Sequence, residues 1–228
     1  MLAVLGLGFI LGLRHALDAD HIAAVGAMVS ERPGWRTALR TGLLWGLGHS
    51  AALFLAGLLV IGLHLVIPDT LARALEAAVA LMVLLLGGSA LARALRSRTD
   101  WHSHYHAHGP RVHRHLHFHD ATDGHDPHRI ARIGLKPLLV GTLHGLAGSA
   151  ALTLLVLAQI ASPTTGLAYL LIFGVGSIGG MALLSVGIGL PFTATLARPR
   201  WNLALRVAAG ATGVVFGIVY ALSQLHTT

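Results

Sequence analysis

Arg14, His15, Asp18, Asp20 and His21 crowd into one short stretch, Leu-Gly-Leu-Arg-His-Ala-Leu-Asp-Ala-Asp-His-Ile from Leu11 to Ile22, with apolar sequence on both sides. Placing a charge at the centre of a bilayer costs about 2.5–3.5 kcal/mol per residue even on the gentler insertion scales. Ionisable groups this dense in an apolar segment therefore mark a site by default. Imidazole and carboxylate together suit a divalent ion of borderline softness such as Ni, Co, Zn or Mn. Cysteine is absent and methionine is limited to Met1, Met28, Met82 and Met181, which argues against a Cu(I) carrier. Asp18 and Asp20 supply the negative charge that a desolvated cation needs. Arg14 offsets part of it and can pair with Asp18 one turn on.

Helical geometry gives two arrangements. At about 100° per residue, His15, Asp18 and His21 share one face while Asp20 points away. Either that face binds the ion and Asp20 turns to another helix, or the helix is broken and all four converge. Irregular backbone is tolerated at membrane depth only where it lines a cavity. A further candidate ligand is His49 in Trp45-Gly46-Leu47-Gly48-His49-Ser50, where glycines let another helix come close. Ser50 beside it is an accessory candidate.

The elements that must position these groups are membrane spans. Of the 228 residues, 54% are hydrophobic and 11% charged, far from the soluble norm of about 25% charged. Apolar runs long enough to cross about 30 Å of hydrocarbon recur. They predict six spans: Leu2–Met28, Ala38–His64, Leu71–Leu95, Leu135–Ile160, Gly166–Leu190 and Leu203–Leu225. The fold class is an all-α polytopic membrane protein. The net charge of +7 is spread over three connections rather than gathered in a patch for nucleic acid. Arg32, Arg36 and Arg40 follow span one; Arg93 to Lys136 follow span three; Arg198, Arg200 and Arg206 lie around the connection from five to six. The positive-inside rule makes these connections cytoplasmic and puts both termini on the outer face of the cell (inner) membrane.

The chain also repeats itself. Gly12-x-x-His15-x-Leu17 is echoed by Gly141-x-x-His144-x-Leu146, Gly46-Leu47-Gly48 by Gly174-Val175-Gly176, and Leu75 and Gly87 by Leu205 and Gly217. Three spans per copy make the second copy enter the membrane the other way up, a 3+3 inverted repeat with the site near the midplane. Residues 1–96 form the first copy and 134–228 the second. In the second copy Ala147, Ser149 and Ala150 stand where Asp18, Asp20 and His21 stood, while His144 remains. His144 reads equally as a ligand and as a satisfied buried histidine; Ser149 is an accessory candidate.

Between the copies, residues 97–133 are polar and crowded with histidine. His102, His104, His106 and His108 alternate, as do His113, His115, His117 and His119. This composition cannot bury a core and reads as a flexible cytoplasmic loop. Its uncharged imidazoles can chelate Ni, Co, Zn or Cu loosely. No thiolates are present, so it is no zinc finger.

His15, Asp20 and His21 also satisfy His-x4-Asp-His, and Arg14 to Ile22 resembles the signature of the nickel–cobalt transporter family of permeases. Leu47-Gly48-His49-Ser50 is similar to that family's second motif. The resemblance implies a secondary transporter for Ni2+ or Co2+, with no cofactor and no catalysis. The signature lies in the first span rather than the second, so the chain resembles the shorter, six-span branch. No nucleotide-binding motif is present, which leaves an ion gradient, the membrane potential or a partner as the driving force. Uptake is the first expectation and efflux by the same fold the alternative. Two readings of other classes are a metal sensor or buffer in which the loop acts, and a membrane metalloenzyme, for which no nucleophile stands out beyond Ser50 and Ser149. The partners expected are a transition-metal ion and the lipid bilayer; the sequence names no protein partner.

Overall fold

A computed structural model describes residues 2–63, 68–96, 102–108, 111–117, 135–147 and 162–226. The elements in chain order are α1 (Leu2–His15), α2 (Ala19–Ser30), α3 (Trp35–Leu63) and α4 (Asp69–Arg96), then strands β1 (His102–His108) and β2 (Arg111–His117), then α5 (Leu135–Leu146), α6 (Pro163–Ala194) and α7 (Pro199–His226). Helices α3, α4, α6 and α7 are each long and apolar enough to cross a membrane. Leucines such as Leu55 and Leu59 on α3, Leu85 on α4 and Leu183 on α6 are exposed. Such outward apolar faces fit a lipid surround, because a helix satisfies its backbone groups within itself.

The first span departs from the expected unbroken helix over Leu2–Met28. It is two helices, α1 and α2, bent by 54° and together long enough for a fifth crossing. The amides of Leu17 and Asp18 donate to the carbonyls of Arg14 and His15, closing α1 with a tight last turn. Asp18 then takes extended backbone angles (φ −62°, ψ 147°), which no helix interior has, and α2 restarts with the Ile22 amide on the Asp18 carbonyl. Helix α5 covers the first half of the expected fourth span; residues 148–160 lie outside the described residues.

Four helix pairings carry the bundle: α1 on α6, α5 on α3, α3 on α6, and α4 on α7. Helix α2 lies between α6 on one side and α4 and α7 on the other. Two contacts show why glycine is required. A Cβ on Gly145 would run into the backbone carbonyl of His49, and one on Gly87 would lie 2.6 Å from the Gly213 carbonyl carbon. Such backbone-to-backbone approach holds helices together in lipid, where apolar burial gives no drive. One apolar core gathers Ala24, Val25 and Val29 of α2 with Trp45, Val83, Met181 and Phe192; a second joins Leu53, Tyr169, Leu170 and Phe173. At the end of α2, Glu31 Oε1 takes Arg93 from α4 and Lys136 Nζ from α5 (2.8 Å), tying three helices at one point.

The histidine-rich connection holds a feature that composition did not indicate. Strands β1 and β2 pair antiparallel, with His102, His104 and His106 opposite His117, His115 and His113. Alternation that reads as low complexity also has the two-residue period of a strand. The remainder of 97–133, with His119, lies outside the described residues.

Gly87→Ala is expected to destabilise the bundle by about 1–3 kcal/mol through overpacking. Gly88→Ala, where nothing stands within 4 Å, is expected to be neutral or slightly stabilising. Thermal unfolding of the two variants in the same detergent compares them directly.

Candidate metal centre

The break between α1 and α2 puts two kinds of helix end side by side. His15 is the last residue of α1, Asp18 precedes α2, and Asp20 and His21 occupy the first turn of α2. Both carboxylates therefore lie at the positive end of the α2 dipole, which attracts negative charge. His49 comes from the middle of α3 and His144 from the last turn of α5. The glycine contact at Gly145 is what brings His144 against α3, since Gly145 seats on the His49 carbonyl.

The side chains converge. His15 Nε2 lies 3.0 Å from His49 Nε2, and Asp20 Oδ2 accepts from His144 Nε2 at 2.9 Å. Asp20 Oδ1 accepts from the His21 backbone amide at 2.8 Å, which fixes the carboxylate between α2 and α5. The His21 and His144 rings stack, with centroids 4.3 Å apart and planes 7° from parallel, while the His15 ring stands edge-on to His21 at 4.6 Å. His21, His49 and His144 are 0%, 1% and 1% exposed, so water cannot satisfy their ring nitrogens. Trp45 packs on His21 and His144, and Phe173 on His15, closing the cluster with aromatic walls.

Several buried ring nitrogens have no partner: Nε2 of His21, and Nδ1 of His49 and of His144, while His21 Nδ1 lies 3.1 Å from Asp20 Oδ1. Leaving a buried polar atom unmatched costs about 1–3 kcal/mol. A divalent ion would take such lone pairs directly. Two groups have ligand atoms mutually within 4.8 Å: His15, His21 and His49, and Asp20, His21 and His144. The donor set, nitrogen-rich with one carboxylate, fits a borderline transition metal better than Mg2+ or Ca2+, which take oxygen.

Of the residues singled out in the sequence, His15, Asp20, His21, His49 and His144 come together. Asp18 stands one step back: its carboxylate, half exposed, contacts His15 Nδ1 at 2.9 Å. That contact replaces the expected Arg14–Asp18 pair. It orients the imidazole so that Nε2 points inward, as metal-binding histidines are commonly held. Arg14 is exposed and outside the cluster. Ser50 donates to the Gly174 carbonyl (3.2 Å) and so joins α3 to α6. Ser149 and His119 lie outside the described residues, and the other loop histidines are placed by backbone register alone. Sequence reasoning missed Trp45 as a wall and the Glu31–Arg93–Lys136 tie. Glu31, one of two glutamates in the chain and placed just past a buried run, was the signal for the tie.

Apolar spans around this cluster define a multi-pass membrane protein. Residues 1–216 match NicO, described as a high-affinity nickel-transport protein, and the chain belongs to that family of nickel transporters. A curated relative, the urease accessory protein UreH of Bacillus sp. (strain TB-90), is 34% identical over 222 residues, which cover 96% of this chain and 91% of the relative. No solved structure matches the chain.

Asp18→Asn removes the charge behind His15 without touching the cluster itself. It is expected to slow Ni2+ movement into vesicles holding the purified protein about 10–100-fold, the usual cost in activity of losing an outer-shell partner.

Proposed function

We propose that this protein is a secondary transporter that carries Ni2+, Co2+ or both inward across the cytoplasmic membrane, and that the ion sheds its water at His15, Asp20, His21, His49 and His144. Asp18 orients His15 from behind. The observation that carries this reading is a group of buried, partnerless imidazole nitrogens drawn from α2, α3 and α5 to one point beside a carboxylate. A packed structural core has no use for such atoms.

The architecture proposed is six spans in a 3+3 inverted repeat, with α5 opening the fourth span. Helices α4 and α7 are both 28 residues long. Helix α1 packs on α6 as α5 packs on α3. The correspondence reaches single residues: Gly12 abuts the Phe173 carbonyl and Gly141 the Trp45 carbonyl, matching the sequence echo of Gly12 in Gly141. A site at the meeting of such repeats lies near the midplane, open to each side in turn. The basic connections, on the positive-inside rule, face the cytosol and leave both termini outside.

Inward movement follows from energetics. The membrane potential favours an incoming cation by about 2.3 kcal/mol per charge per 100 mV. A second reading, export by the same fold, is favoured by the register that sets three histidine pairs across β1 and β2. On the cytosolic side, such a ladder gathers ions either released by the site or destined for it.

Metal content of cells expressing the protein tests the reading. Under limiting Ni2+ the wild type is expected to accumulate the ion, with His15→Ala and Asp20→Ala reducing accumulation at least about tenfold and deletion of 97–133 having the smaller effect. Depletion of Ni2+ in excess metal establishes export instead. Loss of all activity on loop deletion, with silent point variants, overturns transport through the bundle. Because a histidine must be deprotonated to ligate, Ni2+ binding to the purified protein is expected to weaken as the medium is acidified.

A further inference from the structure

Resting on the intramembrane reading above, we infer that the cluster is not one five-ligand position but two overlapping three-ligand positions that share His21. The first is His15, His21 and His49; the second is Asp20, His21 and His144. Within each triple every ligand atom lies within 4.8 Å of the others, and among the described residues no larger set meets that condition. An ion with bonds of about 2.1 Å spans about 4.2 Å between opposite ligands, so either triple closes on one ion with small side-chain adjustments. Bringing all five onto one ion needs larger movements.

The triples differ in surroundings and in chemistry. The first is purely imidazole and lies against Phe173 of α6, whose ring is 5.4 Å from that of His15. The second contains a carboxylate and lies against Trp45, 5.9 Å from His144. His21 belongs to both, its Nε2 buried and partnerless, its Nδ1 3.1 Å from Asp20 Oδ1, its ring edge-on to His15 and stacked on His144. A neutral imidazole has one lone pair to give, so His21 serves one ion at a time. A single ion therefore alternates between the triples, with His21 as the ligand it keeps during transfer. The imidazole position rejects hard cations, which prefer oxygen. The carboxylate position compensates the charge of the ion that has passed.

The test uses full-length protein in nanodiscs, with the histidines between 102 and 128 changed to Asn in every sample so that only the bundle binds. One Ni2+ per chain is expected. His15→Ala and His144→Ala each disable one triple, and each should still bind one Ni2+ within about tenfold of the parent affinity. The double variant should lose at least about 100-fold and match His21→Ala alone. X-ray absorption should report a carboxylate oxygen on the ion in the His15→Ala protein and only nitrogen from protein in the His144→Ala protein. Both single variants should fail to move Ni2+ in vesicles, because the transfer needs both positions.

Single variants as damaging to binding as the double would show one position and overturn the inference, leaving the transporter reading intact. So would two ions per chain. Absence of Ni2+ binding by the parent would overturn the intramembrane reading itself. His15→Gln and His144→Gln, which keep the bulk of the side chain, must give the same pattern; a pattern confined to the alanine variants would also overturn the inference.

Discussion

An imidazole or carboxylate taken out of water needs a partner, and the bundle supplies too few. Around His15, His21, His49 and His144 the walls are Trp45, Phe173 and helix backbone. None of these offers the lone-pair acceptor that a free ring nitrogen seeks. The rest of the structure is arranged to hold that mismatch in place. The break at Asp18 brings two helix ends to the cluster, and the α2 N-terminus favours negative charge where Asp20 sits. Glycines at the α3–α5 contact remove the side chains that would otherwise keep His144 away from His49.

The charge is also compartmented. Asp20 faces the imidazoles, Asp18 backs His15, and Glu31 is bound at the far end of α2 by Arg93 and Lys136. Three carboxylates on one short stretch thus have three separate duties. Arg14 stays at the exposed face, outside the cluster, and a guanidinium beside the ion would oppose it. The densest run of charged residues thus turns Asp20 and its histidines inward and its arginine outward.

Much of this was legible in the sequence because it depends on composition and spacing. Apolar runs gave α3, α4, α6 and α7 within a few residues, and His15, Asp20, His21 and His49 stood out as polar groups in apolar surroundings. The break of the first span was legible only as one of two alternatives. Helical spacing set Asp20 away from His15 and His21, and nothing local said whether the backbone would yield. His144 was balanced between ligand and packing because its weight comes from Gly145 meeting the His49 carbonyl, a contact between residues remote in the chain. The Arg14–Asp18 pair was misjudged because a one-turn spacing assumes helix on both sides, and Asp18 is not helical. The hairpin in the histidine-rich segment escaped because alternating polar residues carry no apolar face to declare a strand.

Helix α2 has an uncommon position. It is wedged between the α4–α7 pair and α6, while the remaining histidines of the cluster ride on α1, α3 and α5. The two cluster residues it carries, Asp20 and His21, thus sit on a lever whose fulcrum is the irregular turn at Ala16 to Asp18 and whose far tip is fastened to α4 and α5 through Glu31. A tilt of α4 with α7 would reach Asp20 and His21 through that lever, swinging a carboxylate and an imidazole past His15 and His49. Mechanical work done on the periphery of the protein would thereby be delivered to the histidine cluster at its centre.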